Sequence, residues 1–406
     1  MLNFNNASDI TIDGKEAKKI EINNIVVWEK SSISIALTTS STSVYWGQNV
    51  TLTATVSPAV EGLEVTFSNG VTATTNANGV ATTTVSKSTP QSASFTATSS
   101  GSLSNSVSVS WVKRNLKITP MHTGTLYYGH YLRYKVTDSV SGSIVTGLSG
   151  YIVDGYSSTQ NSVTINSSGY VQKQLNNGTK TSTTSTSYTG KCKITGNSLY
   201  NTSSEYSASY SYAPSKKYNA SLASASTGTG CTATFTSGKY YGRWYPSSTA
   251  ESLVAALKGT GVAQAYLASS GGSGACKRPE ELYVKTNGKN GTTAVSGTVL
   301  AIGYYIGPKR ASTVTVKFNN IAIQLYSNSE WVTKATASRT TTFPTDYPDP
   351  YYTGTFSFVP TMSQLTSGYI RLVANFTENT QSNVGYVYIG EFYPQVWYSP
   401  TQTFKS

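Results

Sequence analysis

The feature that most constrains this chain is a period of two in its apolar residues. Val50-Thr51-Leu52-Thr53-Ala54-Thr55-Val56 alternates apolar and hydroxyl side chains without a break, and residues 34–38, 81–85 and 106–112 follow the same rule. Successive side chains of a strand leave opposite faces, so each run sets one face against a core and the other against water. Thr fills the wet face because it is β-branched, which suits a pleated strand, and still wettable. Turn signals punctuate the runs at Trp46-Gly47-Gln48-Asn49, Pro58, Ser68-Asn69-Gly70 and Asn76-Ala77-Asn78-Gly79,. The pattern predicts an all-β chain built from antiparallel sandwiches.

About seven strands in ~80–100 residues is the size of an immunoglobulin-type sandwich. Val44-Tyr45-Trp46-Gly47-Gln48-Asn49-Val50, Val65-Thr66-Phe67 and Thr75-Asn76-Ala77-Asn78-Gly79-Val80-Ala81 resemble the bacterial Ig-like domains that recur in adhesins, invasins and phage tail proteins. The resemblance implies that Gly47 makes the bend before the second long strand and that Asn78-Gly79 forms a tight turn with positive φ. Farther on, Leu126-Tyr127-Tyr128-Gly129-His130-Tyr131-Leu132 echoes the first motif and Asn166-Ser167-Ser168-Gly169-Tyr170-Val171 echoes the last. The plan therefore repeats.

Pro214-Ser215-Lys216-Lys217 reads as a linker, and beyond it the composition shifts: the final 193 residues hold 17 of the 30 Tyr and 3 of the 6 Trp. Ser248 and Glu251 form a capping box ahead of Leu253, Ala256 and Leu257, with Gly259 as the stop, which predicts one short helix. After Ala275 the chain reads as strands at 298–306, 313–325, 353–359, 369–376 and 385–396. A unit of this kind predicts two packed sheets, most simply a jelly roll. The order of Ser312-Thr313-Val314-Thr315-Val316, Phe358-Val359-Pro360-Thr361-Met362 and Val384-Gly385-Tyr386-Val387-Tyr388 is similar to the jelly-roll modules at the C-terminus of phage tail proteins and of adhesin-like proteins of methanogenic archaea. That similarity implies a short turn-helix ahead of a long strand. The expected organisation is an N-terminal anchoring β segment (1–30), Ig-like domain 1 (31–113), Ig-like domain 2 (114–213) and a jelly-roll-like host-binding domain (214–406).

Residues 9–28 hold three short strands around Asp13-Gly14 and Asn23-Asn24, too little to bury their own surface. They are expected to dock on a partner or to extend the first domain. Residues 1–9 lack the basic head and apolar run of a secretory signal, although the body reads as an exterior protein. Either the start was trimmed, or the protein leaves its cell by another route, such as a particle released by lysis. The chain carries 30 Lys+Arg against 18 Asp+Glu, a net charge of +12, and only 12% of residues are charged. The four regions carry −1, 0, +5 and +8, so positive charge grows toward the C-terminus. Modest basicity raises encounter rates with anionic polymers and otherwise serves solubility. No run approaches the ~18 apolar residues of a membrane helix; the best, 299–306, is of strand length. Neither nucleic acid nor membrane insertion is expected.

No catalytic constellation is legible. Glu280-Glu281 are adjacent and would face opposite ways on a strand. Asp346-Tyr347-Pro348-Asp349 offers too few oxygens for the 6–8 that Ca²⁺ takes, and there is no phosphate loop, zinc spacing or G-x-S-x-G elbow. The expectation is a protein without catalytic residues, metal or cofactor. Cys192 reads as a half-buried strand residue, and His122 and His130 as solvated or packing groups. Cys231 and Cys276 can bridge if their Cα atoms come within ~7 Å, which the sequence leaves open.

The positive signal is aromatic. Trp and Tyr join a flat apolar body to a hydrogen-bonding tip, which suits the C–H faces of sugars. Arg243, Trp244, Tyr245, Tyr347, Tyr351, Tyr352, Trp397 and Tyr398 lie beside Pro or Gly, as loop residues do, and are the candidate ligand contacts; filling a core or a subunit interface is the competing role. The function these features predict is a virion surface protein of a tailed phage or archaeal virus. Its N-terminal segment would bind other virion proteins, and its terminal domain a host-surface glycan or envelope polymer, in several copies or as a homo-oligomer. A cell-surface adhesin of a bacterium or archaeon, and a purely structural virion component, are the alternatives.

Overall fold

The computed structural model describes residues 33–219 continuously, together with 11–12, 15–17, 19–22, 25–29, 222–227, 256–258, 262–267, 281–286, 288–290, 293–307, 315–337, 341–342, 352–379 and 387–405. Nearly all of the regular structure is strand, and the all-β sandwich architecture read from the alternation is what forms.

In the first sandwich, one sheet places Val50–Ser57 between Ser34–Thr39 and Val80–Val85. Opposite it, Val107–Val112 pairs antiparallel with Gln91–Phe95 and parallel with Ser43–Tyr45. Past Thr96 the run continues as Ala97–Ser99 against Glu64–Phe67, which pairs in turn with Thr72–Thr74. The alternation does what the sequence demands. Val50, Leu52, Ala54 and Val56 are buried, with the intervening hydroxyls turned outward, and they pack with Leu37, Phe67, Val109 and Trp111. The Trp111 indole N–H donates to the Gln48 carbonyl at 3.0 Å, so the largest core side chain buries no unpaired donor. On the wet face the serines pair across strands, with Ser92 to Ser110 at 2.8 Å and Ser94 to Ser108 at 2.9 Å. Cross-strand hydroxyl pairs of this kind stabilise a sheet.

The second sandwich repeats that order. Tyr131–Asp138 lies between Leu116–Pro120 and Tyr170–Gln174. The other sheet runs Thr125–Leu126, Tyr206–Tyr212, Thr186–Ile194, Ser149–Val153 and Asn161–Thr164, again with a parallel pair at its edge. The repeated motifs are equivalent atom for atom. The Asn76 side-chain oxygen accepts from the amides of Asn78 and Val80, and that of Asn166 from Ser168 and Tyr170. Gly79 and Gly169 sit at φ of +73° and +79°, and their carbonyls accept from Val56 and Val136 in the neighbouring strand. A side chain at that φ is strained; a Cβ on Gly79 would also stand 2.7 Å from the Val56 carbonyl oxygen. Cys192 is fully buried rather than half-buried, and burial pushes its thiol up to about 12.

The last sandwich also has two sheets. In one, Val387–Pro400 pairs with Val262–Leu267, Gly297–Gly307 and Lys216–Asn219, while Ala256–Lys258 and Tyr352–Thr355 form the flanks. In the other, Ile370–Asn379 and Thr315–Ser327 are central, flanked by Glu281–Thr286 with Leu222–Thr227 and by Glu330–Ala337. The linker read at Pro214–Lys217 is corrected at its end, where Lys216 and Lys217 open the strand Lys216–Asn219. The helix expected from Ser248 meets a correction at its end: Ala256–Lys258 is a strand paired with Val262–Leu267, and the rest of that run lies outside the described residues. The one described helix is Met362–Thr366, where the Thr361 hydroxyl accepts from the Gln364 amide and the Gln364 side chain accepts from the Thr361 amide. It precedes the long strand Ile370–Asn379, the arrangement that the jelly-roll similarity implied.

At the N-terminus, Thr11–Ile12 pairs with Lys15–Glu16, and Lys19–Ile22 with Ile25–Glu29. The second hairpin leaves Ile22, Ile25 and Val26 in water.

Candidate functional site

Two joints and one exposed face carry the features that strand periodicity does not explain. The first joint is built on Arg114, directly after the last strand of the first sandwich. Its Nε and Nη2 donate to the Trp46 carbonyl at 3.0 and 2.7 Å, and its guanidinium carbon lies 3.9 Å from the Trp46 ring centroid. Its Nη1 donates to the Asp138 carboxylate of the second sandwich at 3.0 Å, with both side chains largely buried. Trp46 in turn donates its indole N–H to the Leu199 carbonyl at 2.8 Å and meets the Tyr200 ring edge-on. Burial pushes the Asp138 carboxyl up, but the Ser141 and Val140 amides and Arg114 outweigh it and hold the group below its ordinary value. Arginine suits this position because its planar fork can serve a carbonyl, a carboxylate and a ring at once.

The second joint is a strap. After Pro400 the chain turns back onto the second sandwich. Gln402 exchanges two hydrogen bonds with the Tyr131 backbone at 2.7 and 2.8 Å, and the Lys405 amide donates to the Met121 carbonyl. Phe404 lies under the Arg133 guanidinium at 3.7 Å. The His130 Nε2–H donates to the Pro400 carbonyl at 2.6 Å, while the Nδ1 atoms of His130 and His122 are buried without partners. Burial holds both imidazoles below their ordinary value. A groove of about 610 Å³ runs along the strap between Tyr131, Arg133, Gln174, Thr298 and Phe404.

The sequence-predicted aromatics fare unevenly. Arg243, Trp244, Tyr245, Tyr347 and Tyr351 lie outside the described residues. Tyr352 opens the strand Tyr352–Thr355 opposite Ile306 instead of lying in a loop. Trp397 and Tyr398 are likewise corrected. Both sit inside the strand Val387–Pro400, paired on both edges, because the Pro nearby ends a strand rather than marking a loop. Trp397 is 7% exposed, with the Lys217 ammonium 5.3 Å from its ring centroid, and Tyr398 meets Tyr218 edge-on. Trp397 is thus buried and Tyr398 half-buried.

Sequence reasoning missed the aromatic face that the structure does display. Asn328 and Ser329, both at positive φ, make a two-residue turn between Thr315–Ser327 and Glu330–Ala337. That register sets Tyr326 opposite Trp331, and Tyr369 follows on the adjacent strand, its carbonyl accepting from the Tyr326 amide. The Tyr326 ring lies 5.2 Å from Trp331 and is stacked at 21° with Tyr369, centroids 5.8 Å apart. Two residues along the strands, Thr333, Gln324 and Arg371 form a parallel polar row. Gln324 donates to Thr333 and accepts from the Arg371 Nε at 2.6 Å, and the Arg371 guanidinium stands over Trp331. Tyr326 and Tyr369 are 38% and 51% exposed. The signal was present in Tyr326-Ser327-Asn328-Ser329-Glu330-Trp331, where aromatics placed symmetrically about a two-residue turn become cross-strand partners.

No family model and no curated protein matches the chain. Among solved structures it is similar to the D0-D1 domain of intimin at 19% identity, over 43% of this chain and 98% of that one, with a TM-score of 0.19. Invasin, a bacterial integrin-binding protein, aligns at 14% identity over 89% of this chain and 60% of its own length, with a TM-score of 0.30. A tetra-tandem repeat from the extending region of a large adhesion protein aligns at 13% identity over 88% and 73%, with a TM-score of 0.25. These three neighbours are pieces of bacterial adhesion proteins. Identities and scores of this size assign no ligand.

Proposed function

We propose that this chain is an adhesin-like protein displayed on the outside of a bacterial or archaeal cell. Two Ig-like sandwiches hold the third away from the surface as the ligand-binding end. The observation that carries this reading is the Arg114 joint, which ties Trp46 of the first sandwich to Asp138 of the second through buried, charge-assisted bonds. Such a joint suits a spacer, whose work is to fix one domain relative to the next. The resemblance of residues 31–113 to adhesin and invasin domains points the same way. Display on a virus particle would suit the same architecture, but no observation ties the chain to a particle. The aromatic set Arg243, Trp244, Tyr245, Tyr347 and Tyr351 belongs to this proposal as further contacts of the terminal sandwich. Weak single contacts become effective when several copies act together.

Antibody raised against the terminal sandwich, applied to intact cells of the source organism, tests the reading. Labelling of the cell exterior is expected. Label found only on released particles transfers the function to virion display, and label found only after cells are broken open overturns surface display altogether.

A further inference from the structure

We propose that the face formed by Trp331, Tyr326 and Tyr369 with Thr333, Gln324 and Arg371 binds a chain of an acidic polysaccharide. The inference rests on the reading of the terminal sandwich as the ligand-binding end and narrows it to one site and one ligand class.

Three observations converge. The first is that the aromatics are exposed although the sheet needs no further cover. Ile323, Ile370 and Leu372, which alternate with the exposed row, are fully buried on the opposite face, so at this end of the strands apolar burial is met from the other side, and the row's own face is covered only from Ala322 and Val373 onward. Tyr326 and Tyr369 nevertheless remain in water, and exposed aromatics grouped on one surface mark interaction sites.

The second observation is the order of the two rows. Along a strand, side chains on one face recur about every 7 Å. The aromatic row Trp331–Tyr326–Tyr369 is followed at that distance by the polar row Thr333–Gln324–Arg371. A pyranose ring has the matching division, with apolar C–H faces that stack on aromatic rings and a rim of hydroxyls that seek hydrogen-bonding partners. The polar row supplies a hydroxyl, an amide and a guanidinium held in place by one another, so little ordering remains for a ligand to impose.

Charge is the third. Arg371 stands in the platform, and Lys334 occupies the bulge beside Thr333. Glu330, at the turn, is the carboxylate closest along these strands. The net charge of residues 214–406 is +8. A neutral glycan would satisfy the stacking but leave this field unused, whereas carboxylates along a sugar chain would complement it.

The test uses the full-length chain against immobilised polygalacturonate, with dextran as the neutral polymer, read by biolayer interferometry. The expected result is binding to polygalacturonate that weakens with salt, little binding to dextran, and a loss of roughly tenfold or more in the Tyr326→Ala/Tyr369→Ala double variant. Tyr156→Ala, which removes an equally exposed tyrosine from the second sandwich, should bind as the parent does. Circular dichroism of the double variant should match the parent, since both side chains lie at the surface. Equal binding to the two polymers overturns the acidic ligand, and an equal loss in Tyr156→Ala overturns the site. Binding to neither polymer, with cell attachment that depends on Tyr326 and Tyr369 and vanishes after protease treatment of the cells, would replace the saccharide with a protein partner. Any of these results leaves the display reading standing, because that rests on cell-surface labelling.

Discussion

Replacing Arg114 with Ala should turn a locked joint into a hinge. Opening the joint in the parent breaks two charge-assisted bonds to the Trp46 carbonyl, at 3.0 and 2.7 Å, and lifts the guanidinium from a ring 3.9 Å away. Hydrogen bonds involving a charged group contribute ~1.5–3 kcal/mol. Since both bonds share one acceptor, we count them together within that range. The cation–π contact adds ~0.5–2 kcal/mol. Allowing for incomplete desolvation, the side chain holds the joint shut by about 2–4 kcal/mol, or roughly 30- to 1000-fold in the opening equilibrium at ~1.4 kcal/mol per decade. Hydrogen exchange reads this directly. The Trp46 indole N–H donates to the Leu199 carbonyl across the joint, so its exchange, followed by NMR, should be at least ~30 times faster in the variant. Arg114→Lys keeps a cation for Asp138 but loses the fork and the stacked plane, and should fall between parent and Ala. Exchange in Arg114→Ala within about threefold of the parent would refute the assignment of the lock to this side chain.

Two further outcomes concern titrating groups. His122 and His130 titrate below their ordinary value of 6.5 because they are buried. The unfolded or detached state therefore takes up protons first as pH falls. The strap should be fully docked above pH ~6.5 and weaken progressively below it, seen as faster exchange of residues 401–405 at pH 5 than at pH 7 after correction for intrinsic rates. Unchanged protection would remove the histidines from the strap's energetics. Burial pushes the Cys192 thiol up to about 12, so mass mapping after iodoacetamide at pH 8 should find it unmodified in the folded protein and alkylated after denaturation. Modification at native pH would mean that the second core opens.

Much of the scaffold was legible because alternation is a local signal with a global consequence. Val50 to Val56 can bury one face only as a strand, and the paired Asn76 and Asn166 motifs recur with the same hydrogen bonds in both sandwiches. What stayed hidden depends on residues distant in sequence. Arg114 reads as one more surface cation until Trp46 and Asp138, 68 and 24 positions away, close around it. Trp397 looked like a loop residue because Pro400 follows it, yet strands on both sides enclose it. The helix expected from Ser248 loses its end to tertiary pairing, since Ala256 to Lys258 went to a strand edge. The Thr361 and Gln364 box marks a start that pairing left alone.

The strap changes how a pull on the terminal sandwich would be borne. Lys216–Asn219 enters that sandwich beside the strand that leaves it, with Lys216 facing Tyr398, so tension divides between two tethers attached at one place. One is covalent, through Ser215. The other is the run from Gln402 to Lys405, gripped by Tyr131, Arg133 and Met121, and it can slip and re-seat without either fold coming apart. A load strong enough to free it would leave the pull on the covalent tether alone, so the strap is the contact that yields before either core does.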